Sequence, residues 1–159
     1  MDENKCCIDT VKLDDDTFFI IKSMNYTKMI PLYIAEGLEI DPNKTNLENL
    51  VTCLEIESDN DILIGGTTLI YNENEYVLKA IAIQKKWQRK NFGSILVNIV
   101  CNLVRNLGGK RLLLNAKAPE FYKKLGFKII PRDIAPNISD CLNCPRYNIC
   151  KPEIMEFIL

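Results

Sequence analysis

The chain has 159 residues, 47% of them hydrophobic and 26% charged, with a formal net charge of -1; this is the size and balance of one ordinary globular domain, able to bury about two-thirds of the surface its unfolded form exposes. Such a near-neutral balance excludes a strong electrostatic drive toward nucleic acid or an anionic membrane, and it gives no compositional case for disorder. Histidine is absent, which removes every Ser-His or Cys-His mechanism and every His-ligated zinc site, and leaves acid–base work to Glu, Asp, Tyr, Lys, a terminus or water.

The opening stretch MDENKCCIDTVKLDDD is acidic and interrupted by charges. It lacks the basic and apolar regions of a signal peptide, so a cytoplasmic protein is expected. No apolar run approaches the roughly 18 residues of a membrane span, so a soluble one is expected too. Thr17 to Ser23 reads as the first strand and Pro31 to Leu38 as a short helix with proline in its first turn. After a turn at Asp41-Pro42-Asn43, Thr45 to Thr52 reads as a second short helix, with Thr45 or Asn46 as its cap. Three strand-like runs follow, Cys53 to Glu57, Ile62 to Ile70 and Tyr76 to Ile83. Turn-rich tetrads separate them, so they form an antiparallel meander. Phe92 to Leu107 is the clearest helix: Leu96, Ile99, Val100, Leu103 and Leu107 share one face, and Gly108-Gly109 stops it. Lys110 to Leu114 then reads as a strand, Pro119 to Leu125 as a helix ending at Gly126, and Phe127 to Ile130 as a strand brought back by a parallel crossover. The last strand, Glu153 to Leu159, follows a long cysteine-containing connection, 131–152. Residues 1–159 thus read as one α/β domain, a mixed, mostly antiparallel sheet flanked by helices.

The segment Ile81 to Val97, IAIQKKWQRKNFGSILV, runs from a strand end through a basic turn into the long amphipathic helix. A helix N-terminus offers unpaired N–H groups and a partial positive charge, which suits phosphate. Lys85, Lys86, Arg89 and Lys90 crowd the same turn, and Gly93 permits close backbone approach. Read without the phosphate, the same turn is a solvated loop. Neither the Walker A string nor the G-x-G-x-x-G fingerprint occurs, so ATP and NAD are not expected.

Gln88-Arg89-Lys90-Asn91-Phe92-Gly93-Ser94 resembles the [QR]-x-x-G-x-[GA] loop with which GNAT acetyltransferases wrap the pyrophosphate of coenzyme A. One departure is Asn91, which stands at the position of the first glycine; asparagine is among the residues that best tolerate positive φ. Downstream, Ala118 to Phe127 (APEFYKKLGF) resembles the A-x-x-F-Y-x-x-L-G-F string that closes the coenzyme site in the same superfamily. Read alone, it is a small helix with Phe121, Leu125 and Phe127 as core.

The resemblance implies a GNAT fold and transfer of the acetyl group of acetyl-CoA to a primary amine by direct attack. It implies that backbone groups of Ile81, Ala82 and Ile83 hold the pantetheine arm and polarise the thioester, and that Gln88, Arg89, Lys90, Asn91, Phe92, Gly93 and Ser94 hold the pyrophosphate. Asn115 would hydrogen-bond cofactor or acceptor, or serve only as a turn former. Tyr122 would be the catalytic acid that protonates the departing thiolate. Val77 occupies the position that often carries a glutamate base, which leaves Glu75, Glu36, Glu39 or a water for that role. The acceptor is an amine of a small molecule or peptide, and members of the superfamily are often dimers, so a homodimer is a further expectation. The alternative is a non-catalytic acyl-CoA-binding or regulatory module of the same fold.

Seven cysteines in a reducing compartment read as thiols or metal ligands rather than a disulfide framework. Cys141, Cys144 and Cys150 supply three of the four ligands of a structural zinc, with Cys6, Cys7, another cysteine or Asp140 as the fourth. Free thiols or a reversible disulfide are the favoured reading, and no metal is assigned.

Overall fold

A computed structural model describes residues 5–136, 138 and 153–159. β1 (Cys6–Leu13) and β2 (Asp16–Ser23) make an antiparallel hairpin that turns at Asp14, φ 56°, a left-handed position that aspartate tolerates. β1 has no counterpart in the sequence reading. It is an edge strand exposed along most of its length, with only Val11 and Leu13 reaching the core, so it carries a remnant of the usual apolar alternation.

Asn25 caps α1 (Tyr26–Ala35), accepting from the Lys28 N–H at 3.1 Å. The helix therefore starts before Pro31, which lies inside it rather than at its first turn; the cap outranks the proline as a start signal, at the loss of one intrahelical bond. The second helix expected over Thr45 to Thr52 is not formed. The chain runs on as a connection, and β3 (Leu50–Ser58) begins within that stretch. Leu47, Leu50 and Val51 suit either period over so short a run. Pairing decides it, because Leu50 lies opposite Ile70 of β4 (Leu63–Asn72).

β3, β4 and β5 (Glu75–Ile83) form the expected antiparallel meander. From β5 the chain crosses through α2 (Phe92–Asn106) to β6 (Arg111–Ala116), which lies parallel to β5. α3 (Pro119–Lys124), β7 (Lys128–Ile129) and β8 (Glu153–Ile158) complete an eight-stranded sheet ordered β1-β2-β3-β4-β5-β6-β8-β7. The strands flanking α3 do not pair directly, as the crossover reading had it: β8 inserts between β6 and β7, antiparallel to both. Among the described residues no helix is long and apolar enough to cross a membrane.

On one face of the sheet Leu54 and Ile56 meet Leu96, Val100 and Val104 of α2. On the other, α1 lies over Gly66, Ala80 and Ala82, where small residues let it approach: a Cβ at Gly66 would collide with Met29 and stand 2.7 Å from the Leu54 carbonyl oxygen. That face also buries two carboxylates of β3. Lys28 bonds Glu55 at 2.7 Å and Glu57 at 2.6 Å, and Lys5 reaches Glu57 at 3.2 Å.

One irregularity opens the sheet. Leu69 faces Leu78 but Thr68 faces Ala80, so Lys79 is the surplus residue of a β-bulge. A bulge bends its strand and sharpens the twist. β5 and β6 pair only from Tyr76 opposite Leu112 to Leu78 opposite Leu114. Past the bulge, the second half of β5 stays with β4 and parts from β6.

Candidate active site

The parted strands form the wall of a cleft of about 1790 Å³. The direction of its backbone groups follows from one bond: the Gln84 N–H donates to the Ile64 carbonyl at 2.8 Å. In an antiparallel ladder alternate residues address the partner strand, so Ala82 and Gln84 face β4 while Ile81 and Ile83 turn their N–H and C=O groups into the gap. The Ile83 carbonyl already accepts from the Gln88 side chain at 2.8 Å.

The gap leads to the N-terminus of α2. Arg89 and Asn91 both adopt positive φ, 62° and 73°, so the asparagine takes the left-handed conformation at the position where the motif has glycine. Asn91 makes no side-chain cap. The first N–H to find a helical carbonyl is that of Ile95, to Asn91 at 3.1 Å, which leaves the amides of Phe92, Gly93 and Ser94 for another acceptor. At Gly93 a Cβ would stand 3.2 Å from the Phe121 ring. Of the four basic residues in the turn, only Arg89 lines the cleft. Lys85 and Lys86 face a separate groove beside α1, and Lys86 lies over the Trp87 ring at 5.2 Å. A second cation comes from the opposite wall, Lys124 of α3. In the sequence it reads as ordinary helix surface.

Asn115 sits inside β6, not past its end, one residue beyond the last pair with β5, and lines the cleft. Tyr122 lines the same wall, held edge-on by Phe121 at 5.0 Å and Phe127 at 5.8 Å. Burial pushes its phenol up to about 12, and its hydroxyl has no hydrogen-bond partner among the described residues.

Carboxylates come from the connection between α1 and β3, where Glu36, Glu39, Asp41 and Glu48 line the far wall. Glu36 accepts from Gln88 at 2.9 Å, and Glu39 lies 3.7 Å from Lys117 across the mouth. Glu75 does not line the cleft, because Arg111 holds it at 2.9 Å in a ladder that continues to Glu156. Val77 is buried against Ile70 and Leu113.

Cys53 and Cys101 are buried thiols; burial raises the first to about 11 and raises the second as well. Cys6 and Cys7 are exposed on β1, while Cys141, Cys144 and Cys150 lie outside the described residues. Among the described residues no three His, Cys, Asp or Glu side chains gather to hold a metal ion.

Residues 18–127, from β2 to just past α3, match the Acetyltransferase (GNAT) family. The chain belongs to that family. The GNAT fold is evident again among solved structures. A GNAT-family acetyltransferase from Staphylococcus aureus Mu50 aligns at TM-score 0.70 and 18% identity, over 89% of this chain and 99% of that one. N-acetylglutamate synthase from Neisseria gonorrhoeae, solved with coenzyme A and N-acetyl-glutamate, aligns at 0.68 and 20%, over 89% of this chain. This chain spans 35% of that synthase's length. The ribosomal-protein-S18-alanine N-acetyltransferase of Escherichia coli aligns at 0.61 and 16%, over 87% and 93% of the two chains. At these identities the likeness concerns the GNAT fold.

Proposed function

We propose that this GNAT protein is an acetyl-CoA-dependent N-acetyltransferase that acetylates a primary amine of a small molecule or peptide by direct attack. The observation that carries the reading is the path from the parted strands to the α2 N-terminus. The backbone N–H groups of Ile81 and Ile83 and the Ile81 carbonyl, turned into the gap, meet the needs of an amide-bearing pantetheine arm, and the left-handed turn at Arg89 and Asn91 brings the free amides of Phe92, Gly93 and Ser94 to a pyrophosphate. Arg89 and Lys124 supply positive charge from two walls.

In the transfer, the amine nitrogen attacks the thioester carbon, the C–S bond breaks, and the electron pair leaves on sulfur. Charge that develops on the carbonyl oxygen is met by strand N–H groups of β5. The Tyr122 hydroxyl, protonated throughout the physiological range, donates to the departing thiolate. The amine sheds its proton to Glu36, Glu39 or a water, since Glu75 is engaged elsewhere.

Burial of Val77 at the base position and the engagement of Glu75 by Arg111 favour one other reading, a module that binds acyl-CoA without turnover. Thermal unfolding with and without acetyl-CoA comes first: at about 100 times its dissociation constant the ligand should add roughly 2.7 kcal/mol. ATP and NAD should add nothing. No stabilisation at millimolar acetyl-CoA would overturn the cofactor assignment. Stabilisation without amine-dependent thiol release across an amine panel would select the non-catalytic module.

A further inference from the structure

Gln88 opens the cofactor loop, yet it has no donor to offer an anion. Its side-chain amide donates one N–H to Glu36 Oε1 at 2.9 Å and the other to the Ile83 carbonyl at 2.8 Å, while its backbone N–H goes to the Lys85 carbonyl at 3.3 Å. A glutamine amide has two donor hydrogens, and both are used. The partners come from different walls. Ile83 ends β5, and Glu36 is the C-cap of α1, where the connection to β3 begins.

That connection is loosely held. Between Glu36 and Asn49 most of its backbone bonds are local, such as Ile40 to Leu38 and Lys44 to Asp41; its longer reaches are Thr27 to the Thr45 carbonyl at 3.4 Å, Glu39 to Lys117 and, at its far end, the Tyr71 N–H to the Asn49 carbonyl at 2.9 Å. A segment with few long-range bonds sits at the low end of local stability. At its entry the Glu36 backbone closes α1 with a bond to the Leu32 carbonyl at 3.1 Å, and the Glu36 side chain is held by Gln88 at 2.9 Å.

Building on the cofactor assignment above, we propose that Gln88 is a positioning residue that ties the α1–β3 connection to the cofactor loop, so that coenzyme A on residues 89–94 orders the wall facing the acceptor. Gln88 adjoins Arg89, whose left-handed backbone must be held for the loop to keep its shape. A ligand that holds Arg89 to Ser94 narrows the freedom of Gln88 and, through it, of Glu36. Such coupling is reciprocal: an acceptor that orders the connection tightens the hold on coenzyme A by the same factor. One hydrogen bond at a solvent-facing site sets the scale at about 3- to 10-fold.

Hydrogen exchange of the amides in 36–49, with and without saturating coenzyme A, tests this without knowledge of the acceptor. In the wild type coenzyme A should slow exchange there about 3- to 10-fold. Gln88→Met, of similar length but without donors, should bind coenzyme A by thermal shift and lose the slowing. Gln88→Glu should lose it as well, because a carboxylate then faces both Glu36 and the Ile83 carbonyl with no donor between them, whereas Glu36→Gln, which still offers an amide oxygen to Gln88, should keep it. Equal slowing in wild type and Gln88→Met, no slowing in a wild type that binds coenzyme A, or loss of slowing in Glu36→Gln would overturn the tie while leaving the cofactor assignment intact. Failure of the wild type to bind coenzyme A would overturn both.

Discussion

The Tyr122 ring is held between Phe121 and Phe127, but its hydroxyl bonds to none of the described residues. Tyr122→Phe should therefore leave the melting temperature and the affinity for coenzyme A almost unchanged and lower turnover by about 10²-fold, the lower end for a lost general acid; thiol release and calorimetry read the two halves. With the phenol at about 12, any rate change between pH 6 and 10 reports the amine and its base. A thiol is ordinarily more acidic, near 8.5, so the tyrosine serves chiefly by hydrogen-bonding the sulfur as its charge develops. Lys28 is a structural counterpart. It faces two carboxylates, Glu55 and Glu57, whose side chains are 1% and 3% exposed. Lys28→Met should cost about 3 kcal/mol in urea denaturation, the lower end for breaking a buried pair because the lysine side chain is 33% exposed.

Among the elements, α2, the meander and the turn at Asn91 could be read from the sequence because local signals specify them: a 3.6-residue apolar period, turn-rich breaks, and an asparagine able to enter the left-handed region. An exposed edge, and the bounds and pairings that depend on distant partners, could not. β1 is almost all surface, the start of β3 is set by Ile70, and β8 takes its place between β6 and β7 from a position far along the chain. The site divides the same way. Its loop and Tyr122 lie in recognisable strings, whereas the engagement of Glu75 by Arg111 spans 36 residues and that of Gln88 by Glu36 spans 52. Close contact between elements is testable at two glycines. Gly66→Ala should destabilise by about 1–3 kcal/mol, since the added carbon meets the Leu54 backbone as well as Met29. Gly93→Ala, at 3.2 Å from a ring on the surface helix α3, should disturb thermal stability less and coenzyme A affinity more.

Across the whole molecule, the buried charges make stability depend on pH. Burial pushes the Glu57 carboxyl up, but bonds from Lys28 and Lys5 more than offset this and hold it below its ordinary value. Its contribution is full above the unfolded value, near pH 4.3, and is lost as pH falls through the lower folded value. Burial lowers the Lys28 ammonium, yet Glu55 and Glu57 outweigh it and raise it. That contribution is present below about pH 10.4 and fades as pH rises through the folded value. Denaturation midpoints should therefore form a plateau at neutral pH that falls away at both extremes, and Lys28→Met should lose its deficit on the acid side as the carboxylates protonate. The same molecule owes its cleft to a count. β5 carries one residue more than β4 needs, Lys79. A surplus of one cannot be halved, so substitution can reshape the walls of the opening but only insertion or deletion can create or abolish it. Lineages of this fold can thus exchange nearly every residue around the gap and still inherit the gap itself.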